Sequence, residues 1–545
     1  MLPTDDLKWA SRRNACSWLL WHLNGVGHMM FYRLQTLAKC EQQRERRQIK
    51  VLRALDVART QWYHFTAVVI AGMGFFTDAY DLFCVSLVTD LLGRICYPHT
   101  GSGDPGSLPP GAEAAVKGIA LCGTMFGQLF FGCLGDHMGR KRIYGVTLIL
   151  MVVCSVASGL SFHHTPISVV GTLCFFRFWL GFGIGGDYPL SAAIMCEYAN
   201  KNTRGAFMAA VFAMQGLGNL AAGIVVLVIT ASFMNTPAYK TGTGSGRFDQ
   251  ADYVWRIVLM FGAVPAALTF YWRMKMPETP RYTALVAKNL KQAVSDMTMV
   301  LDLDINELME EEDANTLGRQ GQFGLFSLKF MCRHGWHLVS ASVCWFMLDV
   351  VFYSLNLFMM DIFTEWFDHV SKEGILEQTY KFARIQAIIA VSGSLPGYFG
   401  TVMFIDKRGR IRIQLIGFTM MTIFIIGLAS THAVWQKSSS FPTGFAVMYG
   451  FIFFFANFGP NTTTFIVPTE IFPTRLRSTC HGIAGAVGKA GAIVGVLLFL
   501  YAKQITVPQK LFMLAGCNLL GIIFTVFLPE SKGMSLEDIA GDMQE

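Results

Sequence analysis

Charge is what this chain has least of: Asp, Glu, Lys and Arg make up 15% of its 545 residues, against about 25% in soluble domains. That shortfall excludes a water-soluble enzyme of this size, and a 53% apolar content excludes disorder. Proline is sparse as well, 18 against 45 phenylalanines, which fits lipid-facing helices better than a loop-rich fold. None of the 13 cysteines forms a CxxC pair, and most (Cys84, Cys122, Cys154, Cys174, Cys344, Cys517) sit in apolar runs. They read as small buried residues, not as a disulfide framework or a metal site. No His-Glu-x-x-His and no nucleophile–base constellation appears, so no enzyme is expected. The net charge of +7 is too mild to point to nucleic acid. With a mean hydropathy of +0.42, the remaining class is an all-α polytopic membrane protein.

Twelve apolar segments are long enough to cross a bilayer, which takes about 20 helical residues. They fall near 64–92, 116–135, 143–161, 167–190, 206–231, 254–274, 338–363, 384–404, 413–432, 444–467, 482–502 and 510–528. The order is six, a polar stretch, then six. The division expected is a cytosolic N-terminal segment 1–60, a six-helix half 61–275, a cytosolic, mostly solvated loop 276–333, a second half 334–528 and a cytosolic tail 529–545. Within the first segment, Arg12-Arg13 and the run Trp18 to Tyr32 imitate a signal peptide. His22, Asn24 and His28 interrupt that run and a basic stretch follows it, so an interfacial or poorly ordered segment is expected instead. Basic clusters at Arg140 to Arg142, Lys407 to Arg412 and Arg475 to Arg477 predict that this side, both termini and the central loop are cytosolic.

The halves repeat. Gly132-x-x-x-Asp136-x-x-Gly139-Arg140-Lys141 has a counterpart in Asp406-Lys407-Arg408-Gly409-Arg410, 270 positions later. Glu197 with Arg204 is matched by Glu470 with Arg477, 273 positions later. Such duplication in parallel topology puts a ligand site at the interface of the halves near the bilayer midplane. The charged residues of these motifs suit a gate. Asp136 can cap a helix or pair with an Arg of a neighbouring helix, and the pairs Glu197–Arg204 and Glu470–Arg477 can latch one conformation and part in the other. The plainer alternative is that Arg and Lys only mark the cytosolic side.

Ionisable groups at mid-membrane depth cost about 2.5–3.5 kcal/mol each, so Asp78, Asp81, Arg177, Asp187, Asp349 and Lys489 are candidate functional residues. Asp78 and Asp81 share a face of the first span. Arg177 can balance one of them, either as a static ion pair or within a proton relay that includes Asp187. Asp349 lies 271 positions after Asp78, with Trp345 and Tyr353 one turn to either side on the same face. Lys489 lies among glycines in the eleventh span, and its repeat counterpart is Gln215. A buried Lys surrounded by Asn, Gln, Tyr and Trp describes a site for a small oxyanion. An organic cation would want carboxylates and no Lys, whereas a sugar could tolerate both. Asp349 beside an anion makes sense if it is protonated when the anion binds.

Two patterns mislead. Gly181-x-Gly183-x-Gly185-Gly186 imitates a dinucleotide fingerprint, but no strand precedes it, and close helix packing through small residues explains it. Asn461-Thr462-Thr463 fits a glycosylation sequon inside a predicted membrane helix.

The segment Gly185-Gly186-Asp187-Tyr188-Pro189-Leu190-Ser191-Ala192 resembles the signature of the plant and fungal proton-coupled phosphate transporters of the major facilitator superfamily. The resemblance extends through Glu197 to Asn200, Thr203 to Gly205, Gln215-Gly216, Gly74 to Phe83, Asn457 to Asn461 and the closing Pro529 to Gly533. Pro277 to Arg281 and the basic loops are similar to sugar transporters too. It covers the chain from about Val51 onward, and residues 1–47 are an atypical extension. It implies a major facilitator fold and a plasma-membrane importer of phosphate with protons. Phosphate would be held by Tyr188, Gln215, Trp345, Asp349, Tyr353, Asn461 and Lys489, and the proton pathway would be Asp78 or Asp81, Arg177 and Asp187. Expected partners are phosphate, protons and the bilayer, with a homo- or hetero-oligomer left open; no cofactor is expected. A symporter of a sugar or another oxyanion, and a phosphate-binding receptor with little transport, remain the alternatives.

Overall fold

The computed structural model describes residues 62–97, 106–161, 165–241, 245–287, 324–359, 374–435, 441–502 and 504–540, with the single positions 289, 291, 292, 295 and 362. The expected interfacial segment, residues 1–47 and the acidic run Glu310 to Asp313 lie outside them. Among the described residues there is no strand.

Twelve crossing units follow one another: α1 Trp62–Cys96, α2 Pro110–Met138, α3 Arg140–Gly159, α4 Pro166–Tyr198, α5 Arg204–Met234, α6 Ser245–Phe261 continued as Ala263–Lys275, α7 Leu328–Leu357, α8 Ile375–Arg408, α9 Arg410–Trp435, α10 Phe441–Asn457 continued as Pro460–Ile471, α11 Arg477–Tyr501 and α12 Val507–Thr525. Among the described residues, eleven are long and apolar enough to cross a membrane. The twelfth, α10, is broken at Phe458-Gly459 into pieces of 17 and 12 residues, neither long enough alone. Most run beyond the predicted spans at one or both ends, because hydropathy ends where polar residues begin, while helical hydrogen bonding continues through polar gate residues such as Asp136 and Glu197. Large apolar side chains such as Val153, Ile167, Phe175 and Leu268 project from the surface, as a lipid-facing belt requires.

Local sequence explains the joints. Gly139 and Gly409, 270 positions apart, carry φ of 93° and 94° in the single-residue turns α2–α3 and α8–α9, a region that side chains other than glycine rarely adopt. Pro110 and Pro166 begin helices where no backbone donor is needed. Glu278 and Glu530 accept the first backbone N–H groups of α3 and α9: Arg140 N at 3.3 Å and Lys141 N at 3.2 Å, Arg410 N at 3.0 Å and Ile411 N at 3.2 Å. The start of the segment expected to be a solvated loop is therefore packed. Arg281 is fully buried, and Tyr282 lies under the Arg140 guanidinium at 4.2 Å. Glycines 181 and 185 of α4 press on the backbone of Ala120 and Thr124 in α2, and Gly123 and Gly127 answer against Phe178 and Phe182. The dinucleotide-like pattern is thus a packing seam. Asn461 lies buried in α10. The eleven described cysteines are all free.

Candidate functional site

Three helices of the N-terminal half (α1, α4 and α5) and four of the C-terminal half (α7, α8, α10 and α11) converge on a chamber in which Asp78, Tyr188, Asp349 and Lys489 are each 1–2% exposed. In the N-terminal half, the Tyr188 hydroxyl donates to Asp78 Oδ2 at 2.5 Å. Gln215 Nε2 donates to the Tyr188 oxygen at 2.6 Å and to the same carboxylate at 3.3 Å. In the C-terminal half, Lys489 Nζ donates to Asp349 Oδ2 at 2.9 Å and to the Tyr353 hydroxyl at 2.8 Å. The ammonium lies 4.4 Å from the Tyr353 ring centre and 5.4 Å from that of Tyr188, so it faces both halves. Tyr398 joins them. Its hydroxyl donates to Gln215 Oε1 at 3.4 Å and accepts from Asn461 Nδ2 at 2.9 Å. Trp345 lines α11 edge-on to His481, with ring centres 5.3 Å apart. Of the seven residues expected to hold substrate, Tyr188, Gln215 and Asn461 thus share one hydrogen-bond network with Asp78. Asp349, Tyr353 and Lys489 form a second that meets it where Lys489 faces the Tyr188 ring, and Trp345 lies beside them. Tyr398 was missed by sequence reasoning; its only signal is an unremarked tyrosine in an aromatic-rich span.

The other intramembrane charges pair differently from the expectation. Arg177 gives its Nη2 to the main-chain oxygen of Asp81 at 3.1 Å, and neither carboxylate oxygen of Asp81 has a hydrogen-bond partner. The expected Arg177–carboxylate ion pair is therefore corrected to a guanidinium held on backbone, because helical geometry presents the Asp81 carbonyl to α4 first. Asp187 pairs with Arg273 of α6, a residue the sequence reading did not single out. That guanidinium stacks on Tyr144 at 3.3 Å, and Ser191 Oγ donates to the Tyr144 hydroxyl at 2.8 Å.

One end of the chamber is closed by the duplicated motifs and is called the motif face. Glu197 accepts from Arg140 Nη2 at 3.0 Å and from Arg477 Nη1 at 3.0 Å. Glu470 accepts from Arg410 at 2.7 and 2.9 Å and from Arg204 Nε at 2.8 Å. The expected pairs Glu197–Arg204 and Glu470–Arg477 are therefore exchanged: each glutamate takes the arginine of the opposite half. The reason is local. The Arg204 and Arg477 helices begin under an aspartate from across the interface. Asp136 accepts from Ser478 N at 3.2 Å and Thr479 N at 2.7 Å, and Asp406 from Gly205 N at 3.1 Å and Ala206 N at 2.8 Å. Asp136 and Asp406 also touch Arg140 and Arg410 at 3.3 and 3.0 Å. Thr279 Oγ1 donates to Glu197 at 2.5 Å, and Ser531 Oγ donates to Glu470. These two hydroxyls follow Glu278 and Glu530 in a Pro-Glu-Thr/Ser repeat whose gating role was not read from the sequence.

Among the described residues, the far face is held by hydrogen bonds that each have at least one neutral partner: Tyr239 to Glu377 at 2.7 Å, Gln386 to Asn219 at 3.0 Å, and Arg94 to Gln378. With both ends shut, the arrangement can hold a small ion away from water on either side, and the charges that could compensate it come from both halves.

The sugar (and other) transporter family matches residues 66–542. Among curated proteins, the chain is 59% identical over 526 residues to the probable inorganic phosphate transporter 1-8 of Oryza sativa subsp. japonica, covering 93% of this chain and 96% of that one. It is 59% identical over 511 residues to the low affinity inorganic phosphate transporter 1 of Petunia hybrida, covering 90% and 95%. Among solved structures, the proton:xylose symporter XylE bound to 6-bromo-6-deoxy-D-glucose aligns with a TM-score of 0.64 at 17% identity, over 88% of this chain and 98% of that one.

Proposed function

The chain belongs to the sugar (and other) transporter family and to the inorganic phosphate transporters within it, and from that premise we propose that it imports phosphate together with protons by alternating access. The observation that carries the reading is the Lys489 ammonium held at 2.9 Å from Asp349 and 2.8 Å from Tyr353 in a dry chamber walled by both halves. An anion needs such a cation and such donors.

Charge counting supplies the coupling. Asp78, Asp349 and Lys489 together leave one negative charge in the chamber, and dihydrogen phosphate adds a second. Each phosphate is therefore accompanied by at least one proton. The freed Asp349 carboxyl takes one when phosphate displaces it from Lys489, and Asp78, which has only neutral donors, is the other acceptor. Arg273 on the Asp187 carboxylate, and Arg177 on the main-chain oxygen of Asp81, stand beside the remaining carboxylates of the proton route. Moving one charge through 100 mV involves about 2.3 kcal/mol, so one proton removes the penalty for a monoanion and a second lets the potential drive uptake.

The basic motif face is cytosolic, both termini lie there with it, and the membrane is the plasma membrane. Phosphate enters when the far face opens and leaves when the latch of Glu197, Glu470 and their arginines parts. No bond is made or broken, so the activity is transport rather than catalysis. The test is uptake of labelled phosphate into proteoliposomes with imposed pH and voltage gradients. Stimulation by an acidic exterior is expected; uptake indifferent to the pH gradient removes the symport mechanism. A sugar carrier would keep appreciable binding after Lys489→Ala, and a receptor would bind phosphate without exchanging it.

A further inference from the structure

Between Lys489 and the motif-face latch, α2 and α11 enclose polar groups that the chamber does not use. Gln128 of α2 is fully buried, and neither its amide oxygen nor its amide nitrogen has a partner. It is aimed at α11. A methyl group placed on Gly485 would lie 2.9 Å from Gln128 Nε2, and Gly482 lies against the Gln128 carbonyl. Lys489 is four residues beyond Gly485 on the same face of α11, about 6 Å along the axis. In the other direction the same face carries Ser478, whose hydroxyl is also without a partner, and beyond it the latch residue Arg477.

The repeat says what such a position is for. Gln128 stands 270 residues before Tyr398, the offset of the Gly139–Gly409 turns that end these same two helices. Tyr398 is already bonded into the chamber through Gln215 and Asn461. The equivalent position of the other half therefore offers an amide at the same depth, with its donor and acceptor unspent. Leaving two buried amide atoms unpaired costs stability in the closed state, which makes sense if they are paired in another state. Two glycines on α11 let its backbone lie close against Gln128, where any side chain would collide with the amide or its main chain.

We propose that Gln128 is a second phosphate contact, on the motif-face side of Lys489, which receives the anion as the latch parts and Lys489 returns to Asp349. The amide N–H donates to a phosphate oxygen and the amide oxygen accepts the phosphate hydroxyl, a pairing suited to the dihydrogen form. Ser478 extends the same track towards the latch. The inference rests on the phosphate reading above.

The experiment compares the full-length protein with Gln128→Leu and Gln128→Asn in liposomes of one orientation, with labelled inorganic phosphate presented first to one face and then to the other. For Gln128→Leu the half-saturating phosphate concentration at the motif face is expected to rise roughly tenfold, the scale of one lost hydrogen bond to an ion, with less than about a twofold change at the far face. Gln128→Asn is expected to fall between. Because Leu replaces an unpartnered amide of similar size, its melting temperature should match or exceed that of the unsubstituted protein. Unchanged half-saturation at both faces, an equal rise at both, or a melting temperature lowered by several degrees would each overturn the proposal. No phosphate transport by the unsubstituted protein would overturn the functional reading itself, so the two failures are told apart.

Discussion

In the N-terminal half of the chamber a carboxylate, Asp78, is held by a phenol and an amide; in the C-terminal half its repeat counterpart, Asp349, is held by an ammonium and a phenol. The backbone positions are equivalent, 271 residues apart, and the decisive divergence is Gln215 against Lys489, 274 apart. Duplication thus built a symmetric scaffold, and one change of side chain made its charge asymmetric. One acid has a counter-ion to give up to a substrate anion; the other has only neutral donors and can be discharged by a proton alone. At the latch the reverse holds, with charges matched residue for residue across the repeat. The protein is symmetric where it must close and asymmetric where it must select.

Substitutions in both regions test this contrast, taken in descending order of expected effect. Lys489→Ala removes the asymmetry by leaving both acids without a cation. Breaking a buried pair on one side costs about 3–5 kcal/mol, so labelled phosphate uptake should fall by at least roughly a hundredfold, and adding Asp349→Ala should recover stability but not uptake. Glu197→Gln and Glu470→Gln probe the symmetric region. Each should destabilise the closed motif face by about 2–3 kcal/mol, seen as melting temperatures that drop together. Unequal drops would show that the latch is not symmetric.

Gln215→Lys gives the N-terminal half the cation of the other. Wild-type uptake should rise as the outside becomes more acidic, because the carboxylates must be protonated for the anion to be carried. With a second ammonium beside Asp78 that slope should flatten, by roughly tenfold across the titration range, and Asp78→Asn should flatten it in the same sense. Uptake measured against external pH decides the matter. Tyr398→Phe removes only the hydroxyl that bridges the halves. A loss of about 1 kcal/mol should raise the half-saturating phosphate concentration about fivefold with little change in maximal rate.

Much of this was legible before the structure. The twelve spans follow from hydropathy. The facing of Asp349 and Lys489 follows from the rarity of charge at that depth together with the repeat offset. What escaped was partnership. The offsets identify Glu197 with Glu470 and Arg204 with Arg477, but equivalence under a repeat does not say whether partners are chosen within a half or across the interface, and only packing decides. Arg273 escaped because it stands at the end of the sixth predicted span; its burial against Tyr144 is a tertiary fact. Arg177 was expected to balance one of Asp78 and Asp81, but a linear sequence cannot distinguish a carboxylate partner from a main-chain carbonyl of the same helix. Pro-Glu-Thr and Pro-Glu-Ser were visible as motifs, without any hint that each hydroxyl reaches a gating glutamate.

The exchanged arginines also bear on how readily the door swings. Each gating glutamate holds one guanidinium from its own half, Arg140 or Arg410, and one from the other. When the halves separate, the borrowed arginine departs and the resident one stays, so neither acid is stranded in a low-dielectric setting. Arg204 and Arg477 each head a helix at the motif face. Opening and shutting are thereby kept close to isoenergetic, which a carrier that must turn over repeatedly needs more than it needs a tight lock.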